Sequence, residues 1–202
     1  MDIRKLDRDA VLETVRILER ADPQDWDQPT PCADWNLRRL VAHMAGQHHG
    51  FAAAAAGNGG DLSAWRPRAL GDEPLKTYRA AAEAVIDAFA PPSVTTREFV
   101  LPEISSTLGF PAAQAIGFHF LDYVVHGWDL ARALGAGLDL DEGAAEAALV
   151  IALRVPDDDR RTAPAAPFRP ALPPAPGAAP TLDRILTTLG RSPDWTPPRT
   201  AL

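Results

Sequence analysis

Cysteine is nearly absent from this chain: Cys32 is the single one in 202 residues. One thiol cannot build an internal disulfide framework, so a stapled secreted scaffold is excluded and a reduced, cytoplasmic setting is expected. A basic excess is lacking too. Lys and Arg number 20 against 27 Asp and Glu, a formal charge of −7, and no dense Lys/Arg stripe is present to neutralise a row of phosphates. Nucleic acid is therefore not an expected partner. No apolar run approaches the roughly 20 residues of a membrane span. Met1-Asp2-Ile3-Arg4-Lys5 leads straight into an amphipathic pattern, without the apolar stretch and small-residue cleavage site of a signal peptide, so neither a leader nor a membrane association is expected.

What the chain has is a globular composition, 46% hydrophobic and 23% charged, and a succession of helical patterns without internal repeats. Val11, Leu12, Val15, Ile17 and Leu18 predict a first helix over 7–21. A loop with Pro23, Pro29 and Pro31 follows, and Asn36 then caps a second helix over 37–56 that ends at Gly57-Asn58-Gly59-Gly60. Leu75, Tyr78, Ala82, Val85, Ile86 and Phe89 predict a third helix over 73–90, stopped by Pro91-Pro92. Residues 93–110 read as a short hairpin or a loop. The fourth helix begins at Pro111 and stops at Gly135. A fifth is predicted over 141–153. Eight of the 20 prolines then crowd into 156–180, which reads as an extended surface strap, and a short terminal helix covers 181–189 before Gly190. The expectation is one all-α domain over residues 1–202, an antiparallel bundle of four main helices with the strap outside.

The fourth helix carries an unusual file. Positions 115, 119, 122, 126, 129 and 133 lie along one side of it and read Ala, His, Asp, His, Asp, Ala, while Ile116, Phe118, Phe120, Leu121, Val124, Val125, Trp128 and Leu130 surround them. A helix apolar nearly all round is buried, and buried Asp or His left unpaired costs several kcal/mol, on the order of 2–7. Asp122 and His126, four apart, can converge on one cation, and His43 on the core-facing side of the second helix can complete the set. Such N, N, O donors suit zinc, with nickel, iron or manganese as alternatives, and leave a coordination position open. Spacing alone leaves two readings standing, a metal centre or an ordinary hydrogen-bonded pair beside a satisfied core histidine. His119 reads as a pocket-lining acid or base or as a plain buried hydrogen-bonding residue. Asp129 reads as the partner of an imidazole's second nitrogen, or as a salt bridge to Arg132 or Arg38. Arg132 reads as a substrate-carboxylate holder or a solvated helix end, and His48 and His49 as solvent-facing. Cys32 reads as a packing residue with no cationic neighbour to activate it.

Three segments carry a resemblance. Thr30-Pro31-Cys32-Ala33-Asp34-Trp35-Asn36-Leu37-Arg38-Arg39-Leu40-Val41-Ala42-His43, Asp122-Tyr123-Val124-Val125-His126-Gly127-Trp128-Asp129-Leu130-Ala131-Arg132-Ala133 and Asp183-Arg184-Ile185-Leu186-Thr187-Thr188-Leu189-Gly190-Arg191 resemble the DinB-like superfamily. The similar branch contains the mycothiol-dependent maleylpyruvate isomerase N-terminal domain and actinobacterial metal-binding proteins. The resemblance implies a DinB-like four-helix bundle and a divalent metal held by His43, Asp122 and His126, where the isomerase uses a glutamate in place of Asp122. It also implies a thiol, mycothiol, as co-substrate and a small electrophile as the other reactant, with His119 as proton shuttle. The implied activity is thiol transfer or isomerisation in the cytoplasm, with a homodimer open as the assembly state. A metal-dependent hydrolase, with water in the open position, and a non-catalytic metal-binding or regulatory module stand as the other classes.

Overall fold

The computed structural model describes residues 1–32, 35–105, 107–163, 166–173 and 179–198. Ala33 and Asp34 of the first motif, and 164, 165 and 174–178 of the strap, lie outside the described residues.

Helix α1 spans Ile3–Leu18, four residues earlier at its start and three at its end than the periodicity over 7–21 suggests. The reason is Asp2, whose carboxylate accepts the Arg4 amide and caps the helix, with Leu6 already on the buried face. Helix α2 spans Leu37–Ala55, and Asn36 caps it by accepting the Arg39 amide at 2.9 Å. Helix α3 spans Pro74–Phe89 with proline in its first turn, where no amide donor is needed. Between α3 and the next helix the chain does form a hairpin, β1 (Glu98–Val100) against β2 (Gly109–Pro111), antiparallel. Helix α4 covers Ala112–Ala133, so Pro111 is the residue before it and closes β2. Helix α5 (Glu142–Ala152) is capped by Asp141, and α6 covers Thr181–Thr188.

The four long helices do not alternate in direction throughout, which corrects the expectation of an antiparallel bundle. Asp7 meets His119 and Thr14 lies beside Gly127, so α1 and α4 run parallel. His48 meets Tyr78 and Arg38 reaches the Gly71 carbonyl ahead of α3, so α2 and α3 also run parallel. Across the other two faces the order reverses: Arg4 bonds the Ala90 carbonyl and Arg79 pairs with Glu19, while His48 faces His119 and His43 faces His126. The long connections between α1 and α2, α2 and α3, and α3 and α4 make such an order feasible. Val11, Ile17, Leu37, Leu40, Val41, Met44, Tyr78, Phe120 and Val124 fill the interior.

The described part of the proline-rich segment is mostly exposed, as its missing amide donors require. Its anchor is a charged residue: buried Arg161 donates to the carbonyls of Val155, Pro156 and Thr188 and so supplies donors that a proline-dense chain lacks. Phe168 packs on the core beside it.

Candidate metal centre

Antiparallel contact between α2 and α4 brings His43, in the second turn of α2, against the ring of His126, with centroids 5.7 Å apart and nearly perpendicular planes. Asp122 lies one turn earlier on α4, its Oδ1 3.5 Å from His126 Nε2. One donor atom from each of His43, Asp122 and His126 falls within 4.8 Å of the other two. His126 is buried, whereas the Asp122 carboxylate retains partial exposure, so the cluster opens to solvent on its Asp122 side.

Electrostatics treats the two imidazoles of the cluster differently. Burial first, and neighbouring His126 second, lower the His43 pKa to about 4, which keeps its imidazole neutral and a lone pair free at neutral pH. Trp35 covers the same ring at 4.9 Å. Burial works against the charged form of His126, yet Asp122 and Asp129 outweigh it and hold its pKa above the ordinary histidine value. His126 Nδ1–H donates to Asp129 Oδ2 at 3.0 Å, which turns Nε2 toward Asp122 and His43. The expected partner of the second imidazole nitrogen is therefore in place, while the salt bridge of Asp129 runs to Arg191 instead of Arg132 or Arg38. On the helix after His43, Gln47 donates to Glu103 Oε2 at 3.0 Å; burial, with a further contribution from Asp122, raises the Glu103 pKa. Sequence reasoning missed both Arg191 and Glu103, since each is brought in by chain distant from the helices.

His119 belongs to a different set of contacts. It is fully buried, and its Nδ1–H donates to Asp7 Oδ1 at 2.6 Å while its Nε2 lies 3.2 Å from His48 Nδ1. His48 Nε2 is 3.3 Å from the Tyr78 hydroxyl, which is 2.7 Å from Thr14 Oγ1. All four long helices thus contribute to one enclosed polar chain, with Tyr123 stacked on both imidazoles at 4.2 Å. His48 does not face solvent as expected; it follows Met44 by four and precedes Phe51 by three, so the core periodicity already contained it. His49 is partly exposed. Arg132 donates to the carbonyls of Pro193 and Trp195 and lies over the Trp128 ring. Cys32 does have a cationic neighbour, Arg191 at 3.6 Å, but burial, with Asp129 next in effect, pushes its thiol up to about 12, which fits packing and not nucleophilic attack.

Four long helices packed in this way, with a single two-stranded hairpin among the described residues, form the helical DinB-like fold. Residues 8–131 match the model of the mycothiol maleylpyruvate isomerase N-terminal domain, and the chain belongs to that family. An uncharacterized protein of Mycobacterium tuberculosis, matched with the same values in two strains, is 32% identical over 165 residues, covering 81% of this chain and 84% of the relative. Among solved structures, the mycothiol-dependent maleylpyruvate isomerase superposes with a TM-score of 0.54 at 14% identity, over 74% of this chain and 66% of the isomerase. A histidine-to-alanine variant of that enzyme gives the same score at 13% identity. The chain thus spans slightly under two thirds of the isomerase, and at these identities the likeness establishes the fold. Among the described residues, no helix is long and apolar enough to cross a membrane.

Proposed function

We propose that this protein is a divalent-metal-dependent enzyme that adds or transfers a low-molecular-weight thiol, mycothiol, to a small electrophile, or isomerises the electrophile through such an addition. One observation carries the reading: in a chain of the mycothiol maleylpyruvate isomerase family, His43, Asp122 and His126 put three donor atoms within 4.8 Å of one another. The donor set fits the ion. Two imidazoles and one carboxylate suit zinc, and nickel, iron or manganese by the same chemistry, without filling the coordination shell. A divalent ion bound there lowers the pKa of a thiol placed beside it, so that the thiolate is available near neutral pH.

The protein's own groups set the stage for that chemistry. Neutral His43 gives a nitrogen donor without a competing proton, Asp122 gives charge at the open side, and Asp129 keeps His126 Nε2 directed inward. Glu103, tethered by Gln47, adds negative potential near Asp122 and favours a cation over an anion in the cluster. In conjugate addition the sulfur bonds to the electrophilic carbon and the S–H proton ends on the atom that receives the displaced electron pair, so no oxidant is required. His119, enclosed between Asp7 and His48, supports the helices that carry the donors in this reading, and any proton it moved would have to pass through one of these two partners.

The test is a titration of cobalt-substituted protein with mycothiol. A sulfur-to-cobalt charge-transfer band that grows as pH favours the thiolate, and that is missing in His126→Ala, is expected. Consumption of an ester or amide without any thiol would instead make the protein a hydrolase. A metal-loaded protein inert toward thiols and esters alike would be a binding module.

A further inference from the structure

Arg191 follows α6, beyond the 8–131 stretch that the family model covers, yet its guanidinium is buried against the back of the candidate metal centre. Its Nε lies 3.2 Å from Asp129 Oδ1 and its Nη2 3.2 Å from Asp129 Oδ2, a two-pronged pairing with a carboxylate that has no exposure. The same Oδ2 accepts His126 Nδ1–H at 3.0 Å. Nη2 also lies 3.6 Å from Cys32 Sγ.

Burying an Arg–Asp pair is weak as a source of stability, because the cost of removing both charges from water offsets most of their attraction. Its geometric effect is definite. A guanidinium fork holds a carboxylate in one plane and one rotation, which a point charge does not do. Asp129 held in that plane presents one oxygen to His126, and so fixes which nitrogen of the ring carries the proton. Cys32 Sγ, a ring nitrogen of His126 and an Asp129 oxygen form a second group of donor atoms within 4.8 Å of one another, and Arg191 is the cation already placed against it. The guanidinium therefore leaves His126 a single face to offer, Nε2 toward His43 and Asp122.

The chain around Arg191 is built to deliver it. Gly190 has φ +77° and closes α6: the Arg191 amide returns to the Leu186 carbonyl at 2.8 Å, a left-handed helix end that places the following side chain. A Cβ at position 190 would fall 2.6 Å from Arg169 Cβ and from the Arg169 carbonyl oxygen, so glycine is required both by conformation and by space. Just beyond, Arg132 of α4 bonds the carbonyls of Pro193 and Trp195 and holds the tail down.

We propose that Arg191 is a positioning residue for the metal centre, acting through Asp129 to lock the Nδ1–H tautomer and ring orientation of His126, so that the C-terminal segment is part of the site. The proposal rests on the reading of His126 as a metal ligand, and the experiment separates the two. Nitrogen-15 correlation spectra of the histidine rings, recorded on metal-free protein at mildly alkaline pH, report the tautomer with no ion present. Zinc affinity is measured in parallel by competition with a chelator. Wild type is expected to show His126 protonated on Nδ1. Arg191→Met is expected to show mixed tautomers and a zinc affinity lower by roughly 10–100-fold, as loss of outer contacts to metal-bound histidines typically gives. Arg191→Lys, which retains the charge and so guards against a folding failure of the methionine variant, is expected to fall between them. A wild-type tautomer in Arg191→Met, or in Arg191→Lys should the former not fold, would overturn the proposal. If wild type binds no zinc, the reading of the ligands fails, while the tautomer comparison still decides the role of Arg191.

Discussion

Asp7 Oδ1 stands 2.6 Å from His119 Nδ1 with both side chains closed off from water, joining α1 to α4 at the centre of the bundle. Beyond it the contacts run through His48 to Tyr78 and Thr14, so a single polar chain touches all four long helices. Asp7→Ala removes the acceptor and strands the imidazole. A buried donor or ion-pair partner left alone costs about 3 kcal/mol. Urea unfolding of the variant is expected to show a lower midpoint at unchanged slope, while zinc uptake in the absence of urea stays at the wild-type level.

Acid should weaken the fold through His48. Burial, with His119 and then His49 adding to it, drives the His48 pKa well below 6.5. The unfolded chain takes up a proton there below about pH 6.5 and the folded chain does not, so the unfolded state binds more protons and stability falls as pH drops through that window. The slope for one such group is about 1.4 kcal/mol per pH unit. Tyr78 and Tyr123 also face the ring, and Asp7 behind His119 works the other way, because burial raises its pKa and its protonated form suits the folded state. Urea denaturation across pH 4–7 should therefore be less steep in pH for His48→Gln than for wild type.

Gly46 marks where the 65–68 loop crosses α2. A Cβ there would lie 2.5 Å from the Arg66 carbonyl oxygen, and backbone cannot step aside as a flexible side chain can. Overpacking of this kind costs about 1–3 kcal/mol. Gly46→Ala is expected to lose that much by urea unfolding, and to expose the indole of Trp65, now buried against Gly50 of the same helix, as a red shift in its fluorescence.

The helices were legible because their apolar residues recur at three and four and because Asn36 stands where a cap is wanted. The file His119, Asp122, His126, Asp129 was legible for the same reason, and so was the partner His43. The parallel pairing of α1 with α4 was not, since periodicity marks a buried face without naming what covers it. His48 could have been placed in the core from its spacing to Met44 and Phe51, but a polar residue beside His49 reads as surface when composition is weighed first. The contact of Arg191 with Asp129 joins residues 62 apart in sequence, and nothing local to either announces it.

The ligand assignment separates neighbouring histidines. His126→Ala and Asp122→Ala are expected to lose a tightly bound divalent ion by elemental analysis after gel filtration, whereas His49→Ala, outside the cluster, keeps close to one per chain. Retention by all three variants would place the ion elsewhere.

The most direct measurement is turnover of a small electrophile panel, maleylpyruvate, a quinone, an epoxide and a conjugated enone, by the metal-loaded protein with and without mycothiol. At least one electrophile is expected to be consumed only when thiol and metal are both present, and His126→Ala, verified as folded, is expected to abolish that consumption. Consumption that proceeds equally without thiol, or a fully metal-loaded protein that consumes none of them, would contradict a thiol-dependent enzyme.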